Sequence, residues 1–234
     1  MAERIQLDHP ETEVVLRRSA RARRLTLTVP HDGGPPRVTA PPKTPLSDIR
    51  MFLMRQEDWL AKALQRAPKA ALVRPGEKLP VDGRMLTITH RSGPRRPPEI
   101  AGEALVVQGG EPAATAKRIE VWLKEKARAT LTPIAEDCAE AVGGRIGKIT
   151  MRDTKGRWGS CSAEGNLNFS WRLAMAPPAV LDYVAAHEAA HLIEMNHGPR
   201  FWALVERLRP DWRTQRAWLK REGGALHRYR FSAD

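Results

Sequence analysis

Pro177-Pro-Ala-Val-Leu-Asp-Tyr-Val-Ala-Ala-His187-Glu-Ala-Ala-His191-Leu-Ile-Glu-Met-Asn-His197-Gly198 is the stretch from which both the fold and the chemistry of this 234-residue chain are read. Proline at the first helical position gives up no hydrogen bond that the helix would otherwise make, so Pro177-Pro178 opens a helix. That helix is expected to run to about Glu194 or Met195, with Asn196 and Gly198 as left-handed stop residues. His187 and His191, four apart, share one helical face and can reach one ion, while Glu188 is rotated by about 100° toward a water at the ion's open position. A catalytic zinc needs a third protein ligand. His197 stands six residues beyond His191, where the chain can turn back.

Random placement of 7 His and 17 Glu in this chain would give a His-Glu-x-x-His only about 0.015 times, so histidines that are merely core or surface residues are the weaker reading. A purely structural zinc site usually closes its fourth position with cysteine, and neither Cys138 nor Cys161 is near in sequence. Other candidates for the third ligand are Glu194, Glu206, Asp211, Glu222 and His227. Glu194 follows His191 by three residues on the same helix, which suits a supporting or surface group. Glu206 and Glu222 fall on later helices without the local pattern of a glutamate ligand. His197 is the favoured third ligand.

Working outward, 41% hydrophobic and 28% charged residues make a globular composition with enough apolar material for a core. Lys plus Arg exceed Asp plus Glu by 39 to 27, a net +12 that points first to an anionic partner. The excess is spread out: residues 1–110 hold 19 basic and 12 acidic groups (+7), and residues 111–234 hold 20 and 15 (+5). One cluster, Arg17, Arg18, Arg21, Arg23 and Arg24, contains no acid and reads as a DNA-binding arm or as a solvated strand and turn. Two cysteines are too few for a disulfide scaffold and fit a reducing compartment. No secretory h-region and no run of 18 apolar residues is found, so a soluble, cytoplasmic protein without a membrane span is expected.

The first hundred residues alternate short strands with turns. Leu25, Leu27 and Val29 alternate with threonines, and His31-Asp-Gly-Gly-Pro-Pro36 turns the chain into a hairpin partner at Arg37–Ala40. One helix, capped by Thr44 or Ser47, is expected up to about residue 66, followed by strands near Met85–Thr89 and Ala104–Val107. Gly109-Gly110-Glu-Pro112 is the expected boundary between a β-rich region (1–110) and a catalytic domain (111–234), with packing of the two as one unit as the alternative. Beyond it, a helix with Ile119, Trp122, Leu123, Ala127 and Leu131 on one face should kink at Pro133 and stop at Gly143-Gly144. Asn166 to Leu173 alternates, with Leu167, Phe169, Trp171 and Leu173 facing a core and Asn166, Asn168, Ser170 and Arg172 facing water. The fold class is α+β.

Arg157-Trp-Gly-Ser-Cys161, Asn166-Leu-Asn168, Trp171-Arg172-Leu173, Pro177, Tyr183-Val184, the His187–His191 motif, Asn196-His197 and Phe201-Trp202 together resemble the YgjP-like metallopeptidases, relatives of the SprT and WLM proteases. The resemblance implies a zincin-like catalytic domain around an HExxH helix. It also implies zinc on His187, His191 and His197, Glu188 as general base toward the ion's water, and a protein or peptide as substrate. An edge strand in the Arg157–Leu173 hairpin would align the substrate main chain. Tyr183, Arg157 and Asn168 are candidates for stabilising the oxyanion, and each also has a structural reading. Cys161 reads as a structural residue of the hairpin. The alternative function is a basic nucleic-acid-binding protein with a structural or relict zinc site.

Overall fold

The computed structural model describes residues 3–30 and 32–232, so His31, the first residue of the expected turn, lies outside the described residues. The chain forms two compact units, Met1–Ala70 and Ala71–Asp234.

In the first unit, β1 (Glu3–Asp8) and β2 (Glu11–Arg18) form an antiparallel hairpin, β4 (Arg37–Ala40) adds to β2 in parallel, and β3 (Thr26–Thr28) pairs antiparallel with β4. The sheet order is β1-β2-β4-β3. Period-2 alternation puts Ile5, Leu7, Val14, Leu16 and Val38 into a core shared with Ile49, Leu53 and Leu60 of the helical segment. That segment is two helices rather than one: α1 (Leu46–Arg55) and α2 (Glu57–Arg66) meet at Gln56, whose backbone leaves the helical region. Glu57 and Asp58 supply the acidic first turn that a second N-terminus favours.

The second unit begins with β5 (Ala71–Leu72) and a sheet of order β6-β7-β9-β8, made of β6 (Lys78–Val81), β7 (Arg84–Arg91), β8 (Glu99–Ala101) and β9 (Ala104–Gln108). α3 (Thr115–Val142) follows and carries Ile119, Leu123, Ala127, Leu131 and Ala135, every fourth residue, into the core. Leu79, Val81, Leu86, Ile88 and Leu105 of the sheet belong to that same core. Gly109 and Gly110, both at φ near +72°, therefore turn β9 into α3 within one unit, and the chain divides at residue 70 instead of at residue 110. α3 runs through Pro133 as one helix and ends on left-handed Gly143.

β10 (Ile149–Arg152), β12 (Leu167–Ser170) and β11 (Gly159–Cys161) form a sheet of order β10-β12-β11, in which β12 pairs in parallel with β10 and antiparallel with the edge strand β11. The regular alternation stops at Ser170, because Trp171–Met175 winds into a 3-10 helix. Half of the side expected to be wet is not: Asn166 and Asn168 are partly exposed, but Ser170 is fully buried and Arg172 nearly so. Arg172 stacks on Trp171 at 4.7 Å, pairs with Asp153 at 2.7 Å and donates to the carbonyls of Leu226 and Tyr229, both at 3.1 Å. Arg172→Ala strands these acceptors, and thermal or denaturant unfolding should show a loss of about 3 kcal/mol. A loss below about 1 kcal/mol would mean that the clamp is dispensable.

α4 (Pro178–Ala190), α5 (Pro199–Leu208), α6 (Trp212–Arg221) and β13 (Tyr229–Arg230) complete the unit, with β13 in parallel pairing on β5. The start of α4 is fixed by the β6–β7 turn, whose Asp82 and Gly83 amides donate to the carbonyls of Ala174 and Met175 at 3.0 and 3.2 Å.

Candidate active site

Val180, Leu181, Val184, Ala185, Ala186, Ala189 and Ala190 are all buried, so α4 has almost no polar face and lies in the middle of the unit. Its small alanines let α3, α5, α6 and β11 pack around it. The charged and imidazole exceptions are Asp182, which pairs with Arg209; His187, half-buried at its last turn; and the buried Glu188. The helix ends at Ala190, four residues earlier than the expected Glu194. His191 is its C-cap, and its Nδ1 lies 3.0 Å from the Glu194 carbonyl oxygen, a contact that draws the chain out of the helix. Neither Asn196 nor Gly198 has positive φ, so this side-chain contact and i→i+3 turns at Leu192 and Ile193 make the bend.

The bend returns His197 to the helix face. Its Nε2 lies 3.2 Å from His191 Nε2 and 3.1 Å from His187 Nε2. Ligands of a tetrahedral zinc, with Zn–N of about 2.0–2.1 Å, stand about 3.3–3.4 Å apart, so the triad has the spacing of three corners of such a site. The donor chemistry agrees. The His191 Nδ1–H pointing at the Glu194 carbonyl leaves its Nε2 as a bare lone pair. Burial, followed by the neighbouring His191, His197 and Arg216, pushes His187 down to about 3, which keeps that imidazole neutral. Among the described residues, these three histidines form the one cluster of His, Cys, Asp or Glu with metal-binding geometry.

The alternative third ligands are engaged elsewhere. Glu206 holds Arg213 and accepts from Trp212 Nε1, Glu222 pairs with Arg221, Asp211 accepts from Gln215, and His227 stacks on Trp158 at 5.1 Å. The Glu194 carboxylate faces Arg200 at 3.8 Å.

Two supporting residues carried no signal of that role in the sequence. The Phe201 ring lies 4.4–4.9 Å from all three imidazoles and forms an apolar wall beside them. Trp202 donates its indole N–H to the His197 carbonyl at 3.1 Å and stacks on Trp212 at 4.3 Å, with Arg216 over the ring at 4.8 Å. His197 is the exposed member of the triad, so its place depends on this brace. Trp202→Phe keeps the stack and removes the donor. Zinc affinity, measured against a chromophoric chelator, should fall about tenfold, and an unchanged affinity would show that the bond does not position the ligand.

Beside the triad is a cleft of about 440 Å³ lined by Arg157, Trp158, Gly159, Cys161, Glu188 and Leu219, among others. Burial pushes Glu188 up to about 8, with Arg157 pulling the other way. Gly159 of the edge strand β11 packs on that carboxylate: a Cβ there would lie 2.6 Å from Glu188 Cγ, 2.7 Å from Cδ and closer still to Oε1. The Tyr183 hydroxyl approaches His187 Nδ1 at 3.5 Å, and Asn168 donates to Ser160 at 3.4 Å. Of the three oxyanion candidates, Arg157 and Tyr183 line the cleft. Burial, then Glu188, pushes the Cys161 thiol up to about 11, so it stays a thiol at neutral pH.

Arg17 and Arg18 end β2 in the first unit, and Arg18 spends its guanidinium on the Pro42 and Thr44 carbonyls. Arg21, Arg23 and Arg24 follow in an exposed loop. No helix among the described residues is long and apolar enough to cross a membrane. Comparison with curated proteins and with solved structures gives no match. A family model described as YgjP-like, metallopeptidase domain matches residues 23–222, a span that takes in the triad, Glu188 and the β11 edge. The chain belongs to the YgjP-like metallopeptidase family.

Proposed function

We propose that the protein is a zinc-dependent peptidase with a zincin-like catalytic domain, and that it hydrolyses peptide bonds in a protein or peptide substrate. The observation that carries this reading is the convergence of three imidazole Nε2 atoms beside a buried carboxylate in an open cleft. His187, His191 and His197 would hold the ion, and its chemistry when bound is to make a water acidic near neutral pH. Glu188 takes a proton from the attacking water on its carboxylate and returns it to the leaving amine. Arg157 favours the ionised carboxylate that burial alone opposes, and an ion held by the triad would do the same. The edge of β11 offers unpaired main-chain groups along which an extended substrate segment can align. Arg157, at the cleft wall, suits the developing negative charge of the substrate carbonyl.

A nucleic-acid-binding protein with a closed structural zinc site has no use for a buried carboxylate at the open side of the triad. One experiment separates the two: metal analysis of the purified chain together with digestion of an unfolded protein substrate, with and without chelator. One zinc per chain and cleavage abolished by chelator and restored by zinc are expected. Bound zinc without any cleavage would overturn the peptidase reading.

A further inference from the structure

A second cavity, of about 350 Å³, lies in the second unit between the loop that follows β7 and the first turns of α3. Arg95 and Arg96 from the loop line it together with Lys117 and Arg118 from the helix. Trp122 and the Pro97-Pro98 pair give it flat apolar walls. Its volume falls within the range of small-molecule sites.

The loop is held firmly in place. Gly109 has φ of +72°, and a Cβ there would lie 2.5 Å from the Gly93 carbonyl oxygen and 2.7 Å from the Arg95 nitrogen. The loop therefore rests directly on the end of β9, where only glycine leaves room. Arg118 reaches across and donates to the carbonyls of Gly109, Arg96 and Gln108. The two loop arginines are thus carried on an anchored backbone.

The charge of the cavity is poorly compensated. Arg118 spends its hydrogen bonds on neutral carbonyls, and Arg95 and Arg96 are exposed and form no ion pair among the described residues. Lys117 shares Glu120 with Lys124, and Glu125 is the one acid lining the cavity. Helix stability does not call for this arrangement. The first turn of α3 carries no acid, and Lys117 and Arg118 stand where the helix dipole disfavours cations. Adjacent guanidinium forks match the geometry of phosphate oxygens, and an indole face beside them accepts a stacked base.

We propose that this cavity binds a nucleoside phosphate, with Arg95, Arg96 and Lys117 on the phosphate and Trp122 against the base. The same chemistry is offered by a free nucleotide and by one residue of a single strand.

Equilibrium dialysis of the full chain at physiological salt tests this, using ATP, tripolyphosphate, a short oligodeoxythymidine and a tetraglutamate peptide as probes. ATP should saturate at one per chain. Arg95→Ala with Arg96→Ala should weaken it at least about tenfold, and so should Lys117→Glu on the exposed helix surface, with circular dichroism unchanged. Trp122→Leu should weaken ATP and spare tripolyphosphate. Displacement of ATP by the oligonucleotide assigns the strand as the source, and failure to displace assigns the free nucleotide; both support the site. The proposal is overturned by absence of saturable ATP binding, by affinity that survives both charge variants, by a Trp122→Leu variant that binds ATP as well as the wild type, or by displacement of ATP by tetraglutamate.

Discussion

Glu188→Gln should keep one zinc per chain and lose hydrolysis by about 10²–10⁴-fold, the range that a positioned general base contributes. The amide has almost the same shape, so its packing against Gly159 and the geometry of the three imidazoles stay as they are. What it lacks is a lone pair basic enough to take a proton. Stability should move in the opposite direction. In the metal-free protein burial opposes the charged form of Glu188, and a neutral amide avoids that desolvation, so its unfolding temperature should equal or exceed that of the wild type. Turnover of an unfolded protein at matched zinc content, read beside a melting curve, checks both parts. Cleavage within about threefold of the wild type would remove Glu188 from its role.

Gly159→Ala is the second large effect, and it comes from a residue with no chemistry of its own. The new methyl group would compete with Glu188 Cγ and Cδ for the same space, so the carboxylate or the β11 edge must shift. A displacement of about 1 Å at a reacting group costs on the order of 10²-fold in rate, while overpacking of this kind costs about 1–3 kcal/mol of stability. Zinc content should be unchanged, because the atoms nearest the added methyl group all belong to Glu188. The route of the effect is open to measurement: Gly159→Ala placed on top of Glu188→Gln should cost no further activity, since both changes act on one group. A full additional loss in the double variant would place the damage in β11 and the alignment of substrate.

The triad was legible in the sequence because spacing on a helix is a local property, and because His-Glu-x-x-His is rare by chance. Its support was not. Phe201 and Trp202 look like any apolar pair at the start of an amphipathic helix, and only the return of the chain through His197 brings them against the imidazoles. Gly159 gave no turn signal, since its smallness answers to a side chain on another element. α4 ends earlier than residue propensity predicts because the contact from His191 to the Glu194 carbonyl, which ends it, leaves no mark on propensity. Arg172 misled for a related reason: alternation assigns it to water, but its partners are the distant carbonyls of Leu226 and Tyr229. The break at Gln56 is marked by neither glycine nor proline. The glycine-rich turn before α3 suggested a boundary, while the true division at residue 70 is set by which strands share a core, a long-range fact.

β13 bears on how the protein is made. It pairs with β5, so the first and last strands of the second unit are neighbours, and Trp158 of the cleft rests against His227 just before β13. During synthesis the first unit, with its own sheet and core, can fold early. The β5–β13 pairing of the second unit must wait until the ribosome has released residue 230. The loop between β5 and β13 cannot close before then, and the buried guanidinium of Arg172 has no carbonyls to hold. The order of translation thus keeps the cleft unfinished while the chain is still being threaded out among other nascent, unfolded polypeptides.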